Sequence, residues 1–378
     1  MSAIRSFVAA LALGCVTACQ SNDDESEEGQ VWSTPIRPTL TGLTLMPAEV
    51  GGGIAVLAAD RRLLVFDSRT GRLLWSVSET VASFNVRPFV HDGLVVAVSV
   101  RGEARAWDAR TGQPRYVTEL PIQGGLGDWT RIDGHVWLVA GEDRLVRVRL
   151  TDGQWTDLGV ARVGPARQVL IGALARGDTV TTLAYREIRS PTLGVGGELW
   201  MVHRHAWSGA FLGEFRFPMD TIALDSPTSL AGPNVILTDG ERGILHAWDR
   251  STGRLAWSYK ATGNRILNLV PAVAAGDTVF MAGGPGLHAI DNRTGRLLFL
   301  VPSRVSLRSL AVCPDVVYAE GADIDVIDRR TGRSRGLAYR SGGTPETATW
   351  DKFGVGEGIA FNYLVGRAYA FRCGPMPG

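Results

Sequence analysis

The chain has 378 residues, 45% of them hydrophobic and 20% charged, which supplies a large core and excludes a disordered chain. Its 39 basic and 38 acidic residues leave a formal net charge of +1, which excludes nucleic-acid binding driven by bulk charge. Forty-six glycines scattered among short apolar runs predict many turns and an all-β chain.

In chain order, the first element is a targeting segment. Arg5 precedes an apolar stretch, Phe7 to Val16, of signal-peptide length and too short to cross a bilayer. It ends in Val16-Thr17-Ala18-Cys19, which resembles the lipobox of bacterial lipoproteins and implies cleavage after residue 18 and acylation of Cys19. Leu13-Gly14-Cys15 is a weaker frame, and a plain secretory signal is the alternative. Residues 19–30 then read as the lipidated cysteine and a solvated tether, with five acids and no base. Without Arg5 and those five acids, the body at 31–373 keeps 38 basic and 33 acidic residues, a mildly basic head followed by a short tail at 374–378. Cys15 leaves with the signal and Cys19 takes the lipid. The remaining Cys313 and Cys373 are expected to pair in an oxidising compartment, with two separate buried thiols as the alternative.

The body is a repeat. VFDSRTGRLLW ends at Trp75, AWDARTGQPRY at Tyr116, AWDRSTGRLAW at Trp257, AIDNRTGRLLF at Phe299 and VIDRRTGRSRG at Gly336. The aligned pairs are Asp67 and Gly71, Asp108 and Gly112, Asp249 and Gly253, Asp291 and Gly295, Asp328 and Gly332. Two degenerate copies, VRLTDGQW and HAWSGAFLGEF, lie between. With Leu150 and Trp207 as their Asp equivalents, the steps are 41, 42, 57, 42, 42 and 37 residues. A period near 42 fits a four-stranded propeller blade. The Asp is placed to accept hydrogen bonds from downstream backbone N–H groups, and the Gly to supply a positive φ that closes a hairpin.

Seven units carry this turn. The C-terminal IAFNYLV and GRAYAFR read as strands of an eighth blade with no turn of its own. Val31-Trp32-Ser33 resembles the returning strands at Trp75 and Trp257 and is expected to complete that blade, closing an eight-bladed ring and removing its open edge. A seven-bladed ring is the alternative. A Cys313–Cys373 bond would then staple the seventh blade to the end of the eighth, beside the seam.

The repeat is that of the quinoprotein-type (PQQ-like) propellers. With the lipobox and the length, the chain resembles the BamB-like lipoproteins of outer-membrane assembly. The resemblance implies a scaffold without cofactor or enzymatic activity. Its partners would be other envelope proteins, the outer-membrane assembly machinery among them, with the lipid holding it to a membrane. It implies a monomer within a complex, on the periplasmic face of the outer membrane or, in a one-membrane host, on the outer face of the cytoplasmic membrane. A quinone-dependent oxidoreductase and a carbohydrate or cell-wall binder are the other classes. Against the enzyme, the adjacent-cysteine pair that covers the cofactor in quinoprotein dehydrogenases is missing from this sequence.

Other candidates are weaker. His203 and His205 sit two apart in a predicted strand and could share a metal, but two ligands are not a site. His246 and His288 each precede a motif Asp by three residues, which marks a structural slot. The glycine-rich stretches at 194–199 and 283–287 read as turns, because no helix follows them. The one long step places a surplus of 15 residues around 185–197, where Arg186 and Arg189 are expected to lie on a projecting loop that contributes to a partner site.

Overall fold

Strands that are covered on both faces need unbroken apolar runs, whereas a strand with one wet face alternates. Strands of both kinds, covered and partly wet, occur in this chain. In the first unit, Ile54 to Ala58 are all buried, while the last strand, Leu73–Ser78, has no buried position and mixes exposed with half-buried ones. The computed structural model describes residues 29–36, 48–59, 62–78, 87–99, 101–121, 126–140, 144–160, 169–190, 194–219, 229–239, 243–261, 270, 272–283, 286–303, 305–340, 353–364 and 366–374.

Among these residues the chain forms eight four-stranded antiparallel sheets and no helix. The blades span 49–78, 89–119, 126–160, 169–219, 229–260, 273–302 and 309–339, and the eighth combines 354–372 with Gln30–Pro35. The first strands of most neighbouring blades touch one another, including those of the eighth and first blades, and an apolar cluster joins every neighbouring pair, so the first strands line the axis of a closed eight-bladed β-propeller. The N-terminal strand Gln30–Pro35 pairs antiparallel with Arg367–Arg372 and supplies the eighth blade's outermost strand. The core is accordingly divided into eight apolar clusters, one between each pair of neighbouring blades. At the seam, Trp32, Phe361 and Tyr363 of the eighth blade pack on Leu57, Leu64 and Phe66 of the first.

The repeated turn follows from the chemistry of its side chains. Asp67 Oδ1 accepts from Arg69 N–H at 3.1 Å, Thr70 N–H at 2.9 Å and the Thr70 hydroxyl at 2.9 Å. Gly71, at φ 70°, donates back to the Asp67 carbonyl. The same bonds recur at Asp108, Asp249, Asp291 and Asp328. The residue after each Asp also donates to the inner turn of its own blade, as Ser68 N–H does to the Gly53 carbonyl. All these turns therefore share one face of the ring, called the turn face below.

The turn glycine also seats the neighbouring blade. The indole of Trp75 lies over Gly112 and donates to the Ala109 carbonyl at 2.9 Å. Trp32 stands in the same relation to Gly71 and Ser68, and Trp257 to Gly295 and Asn292. A Cβ at Gly112 would sit 2.7 Å from Trp75, on backbone at φ 71°. Left-handed backbone costs a non-glycine residue ~1–2 kcal/mol and overpacking a further ~1–3, so Gly112→Ala should lower unfolding free energy by about 2–5 kcal/mol. Urea denaturation measures this, and a loss within experimental error would show that the contact is soft.

Two positions of the sequence reading are corrected. The Asp equivalents of the degenerate turns are Arg149 and His205, not Leu150 and Trp207. Gly153 N–H bonds to the Arg149 carbonyl and Gly209 N–H to the His205 carbonyl, as Gly71 does to Asp67. The long step thus runs from Arg149 to His205, 56 residues. Its surplus is not a loop. The strands Thr179–Ser190 and Gly194–His205 are each 12 residues long and stay paired to the tip, Arg186 opposite Glu198 and Arg189 opposite Val195.

Candidate functional site

The fourth blade departs most from the repeat. Its middle strands grow on the face opposite the turns, because the extra residues lie between the blade's second and third strands. The inner strand Val169–Arg176 pairs only as far as Tyr185, and the outer strand Phe211–Met219 only from Gly197. Beyond those points the described hairpin is two-stranded, with backbone N–H and C=O groups along both edges. Unpaired strand edges are templates for further pairing. Arg189 lies in this segment, Arg186 lies just before it, opposite Glu198, which still pairs with Pro218 of the outer strand, and residues 191–193 at the tip fall outside the described residues.

The histidines nearby have structural partners. The aromatic position of the fourth blade is Phe215, which has no hydrogen-bond donor. His203 is seated edge-on against that ring, 5.5 Å between centroids, with its Nε2 2.8 Å from the Arg250 carbonyl. It thereby makes the blade-to-blade bond that Trp75 and Trp257 make elsewhere, while its Nδ1 lies 2.9 Å from the Thr181 hydroxyl. His205 replaces the motif Asp: its Nδ1 accepts from Trp207 N–H at 3.4 Å and Ser208 N–H at 3.3 Å. The two rings are engaged in different bonds, and no group of three His, Cys, Asp or Glu side chains suited to a metal occurs among the described residues. His246 Nδ1 lies 2.8 Å from the Ser258 hydroxyl. His288 is fully buried between the Tyr259 hydroxyl and the Gly283 carbonyl.

Burial lowers the pKa of His203 and of His288 more than their backbone partners raise it. Each stays neutral in the folded protein at a pH where the unfolded chain takes up a proton. Their contribution is therefore complete above the unfolded value near 6.5 and is lost as pH falls below it. The Asp249 carboxyl is held below its ordinary range by the Ser251 hydroxyl first, against the opposing effect of burial, and then by Thr252. Its contribution is present above the unfolded value of 3.8 and is lost below that. Thermal midpoints should fall in two stages on acidification, and His203→Gln should reduce the first. A midpoint flat from pH 7 to 5 would contradict this.

A second irregularity lies at the seam on the turn face. Where other inner turns carry side chains, the first blade has Gly52 and Gly53, and a cavity of about 460 Å³ opens there. Glu357, at φ 48°, reaches in from the eighth blade and accepts from Gly53 N–H at 2.9 Å and the Ser68 hydroxyl at 3.2 Å. Arg110 closes the far wall, 3.8 Å from Asp67. Cys313, in an inner turn of the seventh blade, is bonded to Cys373, which follows the third strand of the eighth. The cysteines thus join the seventh blade to the eighth, beside the seam, and form no adjacent pair over a quinone. Cys19 lies outside the described residues.

The family model described as outer membrane protein assembly factor BamB matches residues 24–157 and 193–338. The gap between the two matches takes in the rising strand of the long hairpin. No curated protein sequence matches the chain. Among solved structures, BamB from Moraxella catarrhalis is 15% identical at a TM-score of 0.59, over 91% of this chain and 97% of its own. The computationally designed Ika8 protein is 16% identical at 0.69, over 91% and 99%. Quinohemoprotein alcohol dehydrogenase from Comamonas testosteroni is 13% identical at 0.65, over 93% and 78%. At these identities the likeness to the solved structures concerns the fold alone.

Proposed function

The chain belongs to the BamB family of PQQ-like repeat propellers, and from that premise we propose that it is a lipid-anchored envelope scaffold that holds other envelope proteins and catalyses no reaction. Cys19 carries the anchor in this reading, and residues 20–28 are the leash. In a host with an outer membrane its partners are components that assemble β-barrels there. In a one-membrane host the same ring faces outward from the cytoplasmic membrane.

The observation that carries the proposal is the fourth-blade hairpin. It is the largest departure from an otherwise regular repeat, and its two-stranded tip offers edges on a rigid support. Strand addition to such an edge gives affinity through main-chain bonds, and flanking side chains such as Arg186 and Arg189 give selectivity.

The test is photo-crosslinking in native membranes from positions 186 and 189, with captured proteins identified by mass spectrometry. Capture of a defined envelope component, lost when residues 187–197 are replaced by a two-residue turn, supports the reading. If the shortened variant keeps its captured partners and its host assembles its envelope normally, the hairpin is not the partner site.

A further inference from the structure

The turn face has a composition that the scaffold role does not use. The residue five positions after the motif Asp offers its carbonyl to that Asp's N–H, so its side chain is free to point into solvent. In three repeats it is arginine followed by leucine: Arg72-Leu73, Arg254-Leu255 and Arg296-Leu297. All six are exposed, the leucines by 44%, 47% and 37%. Leucine at a solvent-facing position of an edge strand gains nothing from the blade it belongs to. Three such pairs stand at the turn-face end of three outermost strands, along the rim of one face. Inner turns of the same face carry acids, among them Asp92, Asp133 and Asp277, so the basic and apolar character belongs to the rim.

A second observation is independent of composition. The N-terminal strand enters the eighth blade from this face: the Gly29 carbonyl accepts from Arg372 N–H in the place that Arg72 occupies relative to Asp67. From Cys19 to Gly29 the chain spans ten residues, ~35 Å when fully extended and ~17 Å as a relaxed coil. The far end of a 12-residue strand of the fourth blade stands ~40 Å from the turn face. An anchor at Cys19 therefore draws the turn face, and not the hairpin, toward the bilayer.

We infer that the turn face is the membrane-proximal face of the ring, that its rim arginines and leucines rest on an anionic lipid surface, and that the fourth-blade hairpin is thereby aimed away from the membrane. Guanidinium groups beside exposed apolar side chains suit a headgroup layer, with the cation at the phosphates and the leucine at the acyl boundary. The inference rests on the anchoring reading above, and its test separates the two.

The full chain is bound to vesicles of phosphatidylethanolamine and phosphatidylglycerol that carry nitroxide headgroups. A fluorescent amino acid is placed at position 330, in the seventh blade's outer turn, or at position 190, near the hairpin tip, and the acyl state of Cys19 is read by mass spectrometry. Stronger quenching at 330 than at 190, reduced by Arg72→Glu, Arg254→Glu and Arg296→Glu together, supports the orientation. Equal quenching, or stronger quenching at 190, overturns it. A difference that survives the triple substitution overturns the rim contact. If Cys19 carries no lipid, the anchoring reading fails by itself, and the rim is then judged by binding of the unacylated chain at low salt. The triple variant should bind those vesicles at least about 100-fold more weakly. No binding by the parent chain would overturn the proposal. The three guanidinium groups make no described hydrogen bond, so the variant should keep the parent's thermal midpoint.

Discussion

Replacing Trp32 with alanine should lower the unfolding free energy by about 3–5 kcal/mol, the range for truncating a buried tryptophan. The side chain is 8% exposed, with its ring 6.2 Å from Phe66 and 5.7 Å from Phe361, and it donates to the Ser68 carbonyl at 2.9 Å. Every other blade is a continuous stretch of chain. The eighth is built from two chain ends, so the strand Gln30–Pro35 stays in place only through its ladder to Arg367–Arg372 and its packing on the first blade. Local opening there needs no rupture of any other blade. Trp32→Ala should therefore do what Trp75→Ala, in the equivalent slot of a continuous blade, does not. It should raise hydrogen exchange along residues 30–35 and 367–372 while the rest of the ring stays protected. If the two variants showed the same exchange pattern, closure by the N-terminal strand would not be the weak point of the ring.

The comparison of Trp32 with Trp75 also shows what could be read without coordinates. The Asp-x-x-Thr-Gly turns were legible because each residue type is required locally: a short acceptor side chain, a hydroxyl, and a residue that tolerates positive φ. Trp32 was legible because it repeats a pattern seen elsewhere in the chain. The degenerate turns hide their register because different side chains serve the same backbone geometry. His205 Nδ1 accepts the bonds a carboxylate normally takes, and in the turn at Arg149 the carboxylate of Asp152 accepts from Gln154 N–H, as the Thr70 hydroxyl does from Arg72 N–H. The role of His203 was out of reach, since it depends on a carbonyl 47 residues away and on Phe215 lacking a donor. The surplus at 185–197 was visible as length but not as conformation. Gly194, Gly196 and Gly197 read as breakers, yet inside a hairpin the partner strand supplies their backbone bonds.

Substituting Cys313 and Cys373 by serine together should cost about 4 kcal/mol, from the 60-residue loop that the bond closes in the unfolded chain. The location adds a consequence that loop length alone does not carry. Cys373 directly follows Arg372, whose N–H holds the Gly29 carbonyl and whose own carbonyl accepts from the Tyr318 hydroxyl of the seventh blade. The bond thus fixes the end of the eighth blade's third strand to the seventh blade at the point where the N-terminal strand docks. Without it, the third strand can fray from its end and release the N-terminal strand with it. A reductant should lower the parent's thermal midpoint and leave the double serine variant's unchanged. Trp32→Ala should be less damaging in the serine background than in the parent, because both changes act on the same opening. Strictly additive losses would mean that the disulfide and the N-terminal strand secure the ring independently.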